Sequence, residues 1–175
     1  KGHGTDRGLV AGLLGMRPDD ERIPDSFEIA RKMGLSYSFG IANLTSAHPN
    51  SVVLEVKGKS GRTLEVQACS LGGGRIMINR LDGLDVKCSC EIPTLIVHNL
   101  DQPGHVAEVT SMLAHKSVNI ANMSLYRDKR GGSAVMVVEM DQPLPKESLE
   151  WLEHREGIVK VTYINVTEGE EDDVL

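Results

Sequence analysis

The sequence predicts an α+β chain built from two unlike stretches. Three observations carry this reading. The first 40 residues place apolar side chains at helical spacing with glycine stops; from Asn50 the hydrophobic period changes to two; and from Thr94 the pattern runs strand, helix, strand, strand, helix, strand.

Taken in order, Thr5 and Asp6 are candidate N-caps for a helix carrying Leu9, Val10, Leu13 and Leu14, with Gly15 as its stop. Arg17-Pro18-Asp19-Asp20 is a loop. A second helix is predicted over Asp25 to Met33, punctuated by Gly34. Val52, Leu54 and Val56 then alternate with Val53, Glu55 and Lys57. Gly58-Lys59-Ser60-Gly61 supplies a turn and Thr63 to Ala68 returns, which is a hairpin signature. A short strand over Arg75 to Arg80 follows Ser70-Leu71-Gly72-Gly73-Gly74, and Asp82-Gly83 is a turn. In the second half the spacing predicts strands at Thr94–Asn99, Asn119–Tyr126, Ala134–Met140 and Val159–Val166. Helices carry Val106, Val109, Met112 and Leu113, then Leu149 and Leu152 within Lys146–Arg155. That βαββαβ order is the ferredoxin-like plan. Residues 168–175 hold five acidic side chains and read as a solvated tail.

Composition narrows the function. With 175 residues, 40% apolar and 25% charged, the chain can fold one full domain or two small ones without staples. No apolar run reaches the roughly 20 residues of a membrane-spanning helix. A net charge of −6 and a pI near 5.5 argue against a broad nucleic-acid face. Two Phe, three Tyr and one Trp provide no base-stacking platform. Three cysteines describe no disulfide framework and point to thiols in a cytoplasmic setting. They also fall short of the four thiolates an iron–sulfur cluster usually takes, so no metal site is expected in this chain. The opening Lys1-Gly2-His3-Gly4 carries neither an initiator Met nor a secretory signal, and reads as the interior of a longer polypeptide.

Asn99-Leu100-Asp101-Gln102-Pro103-Gly104, Val118-Asn119-Ile120 with Met123, and Gly132 with Ala134 before an apolar strand together resemble an ACT domain over residues 92–167. The resemblance implies an allosteric module that pairs edge to edge and binds small ligands, often amino acids. It names Asn99, Asp101, Gly104 and His105 on the first loop and helix, and Asn119 and Ile120 at the second strand, as effector contacts. Free N–H groups at the helix opened by Gly104 suit a carboxylate. Some ACT regulators of serine biosynthesis have a His four residues before the Pro, where this chain has Asn99.

Gly2-His3-Gly4-Thr5-Asp6-Arg7, then Ala11-Gly12-Leu13-Leu14-Gly15-Met16 and Pro18-Asp19-Asp20, with the later Ser70-Leu71-Gly72-Gly73-Gly74, resemble the β chain of iron–sulfur-dependent L-serine dehydratases. The resemblance implies that residues 1–91 are an N-terminally truncated domain similar to the allosteric substrate-binding domain of D-3-phosphoglycerate dehydrogenase. It implies a partner α chain holding a [4Fe-4S] cluster, and conversion of L-serine to pyruvate and ammonia. That reaction removes the Cα proton and expels the β-hydroxyl. A Lewis acid suits the leaving group, and a His near neutral pH suits the proton. In the family the Gly-His-Gly-Thr-Asp segment is associated with the active site. His3 is therefore the expected catalytic residue, with Thr5 on the substrate carboxylate and Asp6 orienting the imidazole or holding the ammonium. The second His that the family draws from an upstream Ser-His-Thr segment has no counterpart here. The resemblances imply a homodimer through the ACT and/or β domains; an alternative from another class is a non-catalytic amino-acid-sensing module of a serine-biosynthesis dehydrogenase.

Gly72, Gly73, Gly74 and Arg75 admit two readings, a strand-to-strand bend or an anion-binding nest. Cys88-Ser89-Cys90 places two thiols on one face of a strand or its exit, a structural or incidental placement. The histidines show no zinc-type pairing, and Met112, Met123, Met136 and Met140 are expected in the core.

Overall fold

A computed structural model describes residues 4–44 and 47–165; His3 and the acidic residues 168–175 lie outside the described residues. The chain divides into two compact units, residues 1–43 and 44–175.

In the first unit, α1 (Thr5–Leu13) is followed by a 3-10 turn (Ile23–Asp25) and α2 (Ser26–Met33). Both helices end in the Schellman pattern. Gly15 N–H bonds to Gly12 O and Met16 N–H to Ala11 O, while Gly34 N–H bonds to Arg31 O and Leu35 N–H to Ala30 O. The start of α1 corrects an expectation. Gly4 occupies the N-cap position in a left-handed conformation with no side-chain cap, and the helix already includes Thr5 and Asp6. Asp6 instead accepts the Arg7 N–H at 2.9 Å. The helices join where the Ser26 hydroxyl, fully buried, donates to Arg7 O at 3.1 Å. Phe27 then meets Tyr37 and Phe39 at ring separations of 5.4 and 6.2 Å.

Among its described residues the second unit carries eight strands and two helices. β1 (Ser51–Lys57), β2 (Thr63–Gly72), β3 (Arg75–Leu81) and β4 (Leu84–Cys88) form an antiparallel sheet in chain order. β4 is an addition to the expected elements; its five residues alternate leucine, valine and cysteine with charged side chains. β5 (Thr94–Leu100), α3 (His105–His115), β6 (Ile120–Arg127), β7 (Ser133–Met140), α4 (Lys146–Glu153) and β8 (Ile158–Ile164) follow. Their sheet is antiparallel in the order β6-β7-β5-β8, which is the ferredoxin-like arrangement expected of an ACT domain.

One strand pair of the second sheet, β5 and β7, is covered on both faces. On one face of the second sheet, Leu95, Val97, Met136, Val138 and Met140 pack against Val109, Met112 and Leu113 of α3 and Leu152 of α4. On the other, Ile96, Val135 and Val137 pack against Ile78, Leu81, Val86 and Cys88 of the first sheet. Successive strand side chains point to opposite faces. Hence β5 and β7 must be apolar at consecutive positions, and both are buried almost without interruption. The methionines expected in the core lie on the helix side of this wall. Among the described residues no helix is long and apolar enough to cross a membrane.

Candidate functional site

The β5–α3 loop gathers four of the expected effector residues at one end of the second sheet. Asn99 is 4% exposed; its Nδ2 donates to Leu100 O at 2.6 Å, and its buried Oδ1 has no hydrogen-bond partner. Asp101 reaches across to the β6–β7 hairpin, accepting Gly131 N–H at 2.9 Å and Arg127 Nη1 at 3.2 Å. The Gly131 N–H holds its carboxyl below the usual carboxylate range, and Arg127 adds to the effect. Gly104 precedes α3, whose first turn has no side-chain cap, so the opening N–H groups of the helix are available to an anion. His105 is 8% exposed, with Nδ1 at 3.6 Å from Glu108 Oε2 and a buried Nε2 that has no hydrogen-bond partner. Two buried polar atoms without partners, Asn99 Oδ1 and His105 Nε2, thus lie near an uncapped helix start, the latter against Gly157.

Asn119 and Ile120 lie elsewhere. Ile120 pairs with Met140, whereas Leu100 pairs with Ser133, so the two groups stand at opposite ends of the sheet. Asn119 donates from its backbone to Gln142 Oε1 at 2.7 Å and from Nδ2 to Asp141 Oδ2 at 2.6 Å. One chain therefore does not bring all six residues together.

Thr5 and Asp6 stand in the first turn of α1 beside Gly4, and Asp6 is half-buried. His3, the residue on which the catalytic expectation rests most, is outside the described residues. The glycine run has a local explanation. Gly72 pairs with Arg75, leaving Gly73 and Gly74 as a two-residue hairpin turn with φ of 62° and 78°, values that side-chain-bearing residues rarely adopt. Arg75 is paired with Glu91 at 3.3 Å.

A cleft of about 610 Å³ between the β1–β2 turn, the β3–β4 turn and strand β8 was not anticipated from the sequence. Arg62, Asp82, His98, Glu153 and Lys160 line it. Lys160 Nζ bonds Thr63 O at 2.8 Å and Asp82 Oδ2 at 2.5 Å, stitching the first sheet to the second. Arg62 reinforces this by donating to Val161 O and, at 3.2 Å, to Thr162 Oγ1. Burial alone would raise the Asp82 carboxyl, but bonds from Lys160 and the Glu65 N–H outweigh it and hold the group low. His98, 3.5 Å from Asp82, is pushed below the usual histidine range, chiefly by burial, with Lys160 and Arg62 adding to the Asp82-opposed shift. These residues are far apart in sequence, and no spacing signal links them.

The donors present do not fit a [4Fe-4S] cluster. Among the described residues no three His, Cys, Asp or Glu side chains converge as a metal site, and all three cysteines are buried.

Comparison with known proteins matches residues 93–153 to the ACT domain. The chain is 38% identical over 145 residues to the L-serine dehydratase beta chain of Peptoniphilus asaccharolyticus, covering 82% of this chain and 65% of that one. It is 34% identical over 164 residues to the probable L-serine dehydratase beta chain of Bacillus subtilis, covering 94% of this chain and 74% of that one. Similarity to D-3-phosphoglycerate dehydrogenase of Bacillus subtilis is weaker, 25% over 162 residues and only 30% of that enzyme. The chain thus spans just under two thirds of the Peptoniphilus beta chain. Its identity to these relatives along most of its length, with an ACT domain at the βαββαβ unit, makes the chain a member of the L-serine dehydratase beta chain family.

Proposed function

We propose that this chain is the β subunit of an L-serine dehydratase, working with an α chain that supplies the [4Fe-4S] cluster, and that its ACT domain responds to an amino acid. The family likeness across 94% of the chain is the observation that carries the reading. The match takes in 65% and 74% of the two beta chains but no more than 30% of the dehydrogenases compared, which favours it over a purely regulatory module of a dehydrogenase.

In this reading His3, preceding the left-handed Gly4, takes the Cα proton of serine. Asp6 orients that imidazole or holds the substrate ammonium, and Thr5 bonds the substrate carboxylate. The glycines on either side of His3 let the backbone come close to the substrate. In the ACT domain, the uncapped N–H groups of α3 receive the effector carboxylate, beside the polar atoms of Asn99 and His105. Asp101 keeps this loop in place through Arg127 and Gly131.

The edge strand β6 supports a homodimer. Two β6 edges paired antiparallel set the Asn119–Ile120 end of one copy against the Arg127 end of the other, beside the partner copy's effector loop. The six effector residues then come from two copies of the chain.

Substituting His3→Ala tests the catalytic assignment. Mixed anaerobically with the α chain, the variant is expected to lose pyruvate formation while keeping the circular dichroism of the parent. Unchanged kcat in a folded variant would remove His3 from the mechanism.

A further inference from the structure

One nucleophilic pair in the second unit has no part in the reading above. Cys88 closes β4, and Cys90 sits two residues on, in the connection to β5. On a straight strand, residues two apart are separated by about 6.6 Å along the chain, too far for their sulfurs to meet. Here the strand has ended, and Cys90 adopts φ 55°, a left-handed conformation unusual for a residue with a side chain. That turn swings its thiol onto Cys88, leaving the two Sγ atoms 3.0 Å apart, both as free thiols. The separation is roughly 1 Å more than an S–S bond, so closing it asks for little backbone movement.

We propose that Cys88 and Cys90 form a redox-active dithiol, a modification site at which a small peroxide closes an intrachain disulfide between the β4 strand and the connection to the ACT domain. The inference stands on this geometry and is independent of the serine dehydratase reading.

The two sulfurs have different roles. The contact between the two sulfurs lowers the Cys88 thiol below its ordinary range despite burial; the same contact, together with burial, raises Cys90. Of the two, Cys88 loses its proton more readily and is the attacking sulfur, with Cys90 the resolving thiol. Attack of the Cys88 thiolate on hydrogen peroxide forms an S–O bond and breaks the O–O bond. The released hydroxide takes up the proton Cys88 had lost and leaves as water. Cys90 sulfur then displaces hydroxide from the Cys88 sulfenic acid, its own proton completing a second water. Two thiols and one peroxide give one disulfide and two waters, with two electrons passing from the sulfurs to the peroxide oxygens. Cys88 and Cys90 are 2% and 7% exposed, so the oxidant proposed is a small peroxide rather than a bulky disulfide such as oxidised glutathione.

Cys69 provides an internal control, since it is 4% exposed and shares no contact with another thiol. The full chain, fully reduced, is exposed to stoichiometric hydrogen peroxide, quenched with N-ethylmaleimide in denaturant, and digested with trypsin. Peptide 88–116 contains both thiols of the pair, and peptide 63–75 contains Cys69. Peptide 88–116 is expected to become refractory to alkylation at least about tenfold faster than peptide 63–75. It should lose two hydrogen masses and regain them with dithiothreitol. The Cys90→Ser variant should instead accumulate a dimedone-reactive sulfenic acid at Cys88. Loss of alkylation at the Cys69 rate, overoxidation without a disulfide, or a bond between two chains would each overturn the proposal. The unsubstituted protein decides the question even if the variant does not fold.

Discussion

Gly157 is where the packing of the ACT unit can be tested most sharply. Its φ is +80°, and its carbonyl accepts the Leu100 N–H at 2.9 Å, so the segment cannot rotate freely to another conformation. A Cβ added there would lie 2.5 Å from both Cε1 and Nε2 of His105, a buried ring at the head of α3. Gly157→Ala therefore meets two costs. A side chain in the left-handed region costs about 1–2 kcal/mol. Forcing a buried ring aside costs about 1–3 kcal/mol more. Together they give about 2–5 kcal/mol, less roughly 0.5 kcal/mol from the stiffer unfolded chain. His105→Ala removes the obstructing ring, so in that background Gly157→Ala should cost only the conformational part. The expected coupling between the two sites is about 1–3 kcal/mol. Urea unfolding of all four proteins, followed by fluorescence of the single tryptophan, Trp151 in α4, reads the unit that contains the contact. If Gly157→Ala costs the same with and without the His105 ring, the contact has no energetic content and the argument fails.

The doubly covered strands β5 and β7 and the charged cleft can be probed in the same way. Leu95 faces the helices and Ile96 the first sheet, both essentially unexposed. Each truncated to Ala should therefore cost about 2–5 kcal/mol by denaturant titration; a near-neutral Ile96→Ala would mean that the two sheets do not pack. His98 is held below its usual range, so the unfolded chain binds its proton first. Stability should fall as pH drops below the unfolded value of about 6.5 toward the lower folded value. Replacing His98 with Gln should flatten that portion of the stability–pH curve, and an unaltered slope would place the titration elsewhere. Asp82, also held low, adds a second loss of stability as pH falls below the ordinary carboxylate value of about 3.9; Lys160→Met should reduce that loss, measured by the same titration.

Much of the ACT unit was legible because its elements are long and strongly patterned. The expected strand over Ala134–Met140 and the observed β7 differ by one residue, and β5 by one. What the continuous apolar runs of β5 and β7 did not disclose is their second neighbour. Consecutive burial implies cover on both faces, yet nothing local says that the hairpin strands provide it. β4 escaped because five residues between a tight turn and an irregular connection give only a brief alternation. At α1, Thr5 and Asp6 are the residue types that usually cap, but Gly4 already turns the chain in a left-handed conformation, so the helix starts earlier. The effector loop was legible from Asn99 to His105 because those residues are close in sequence. By contrast, Arg62, Asp82, His98 and Lys160 meet only through the packing of two sheets, and Cys90 joins Cys88 through a backbone turn that composition does not encode.

The most direct test of the functional account is pyruvate formation from L-serine, measured under anaerobic conditions for this chain, for its cognate α chain, and for the two combined. Turnover is expected only in the combined sample and should respond to added amino acid through the ACT domain. Robust turnover by this chain alone, or none when both folded chains are present with the cluster intact, would contradict its assignment as a catalytic β subunit.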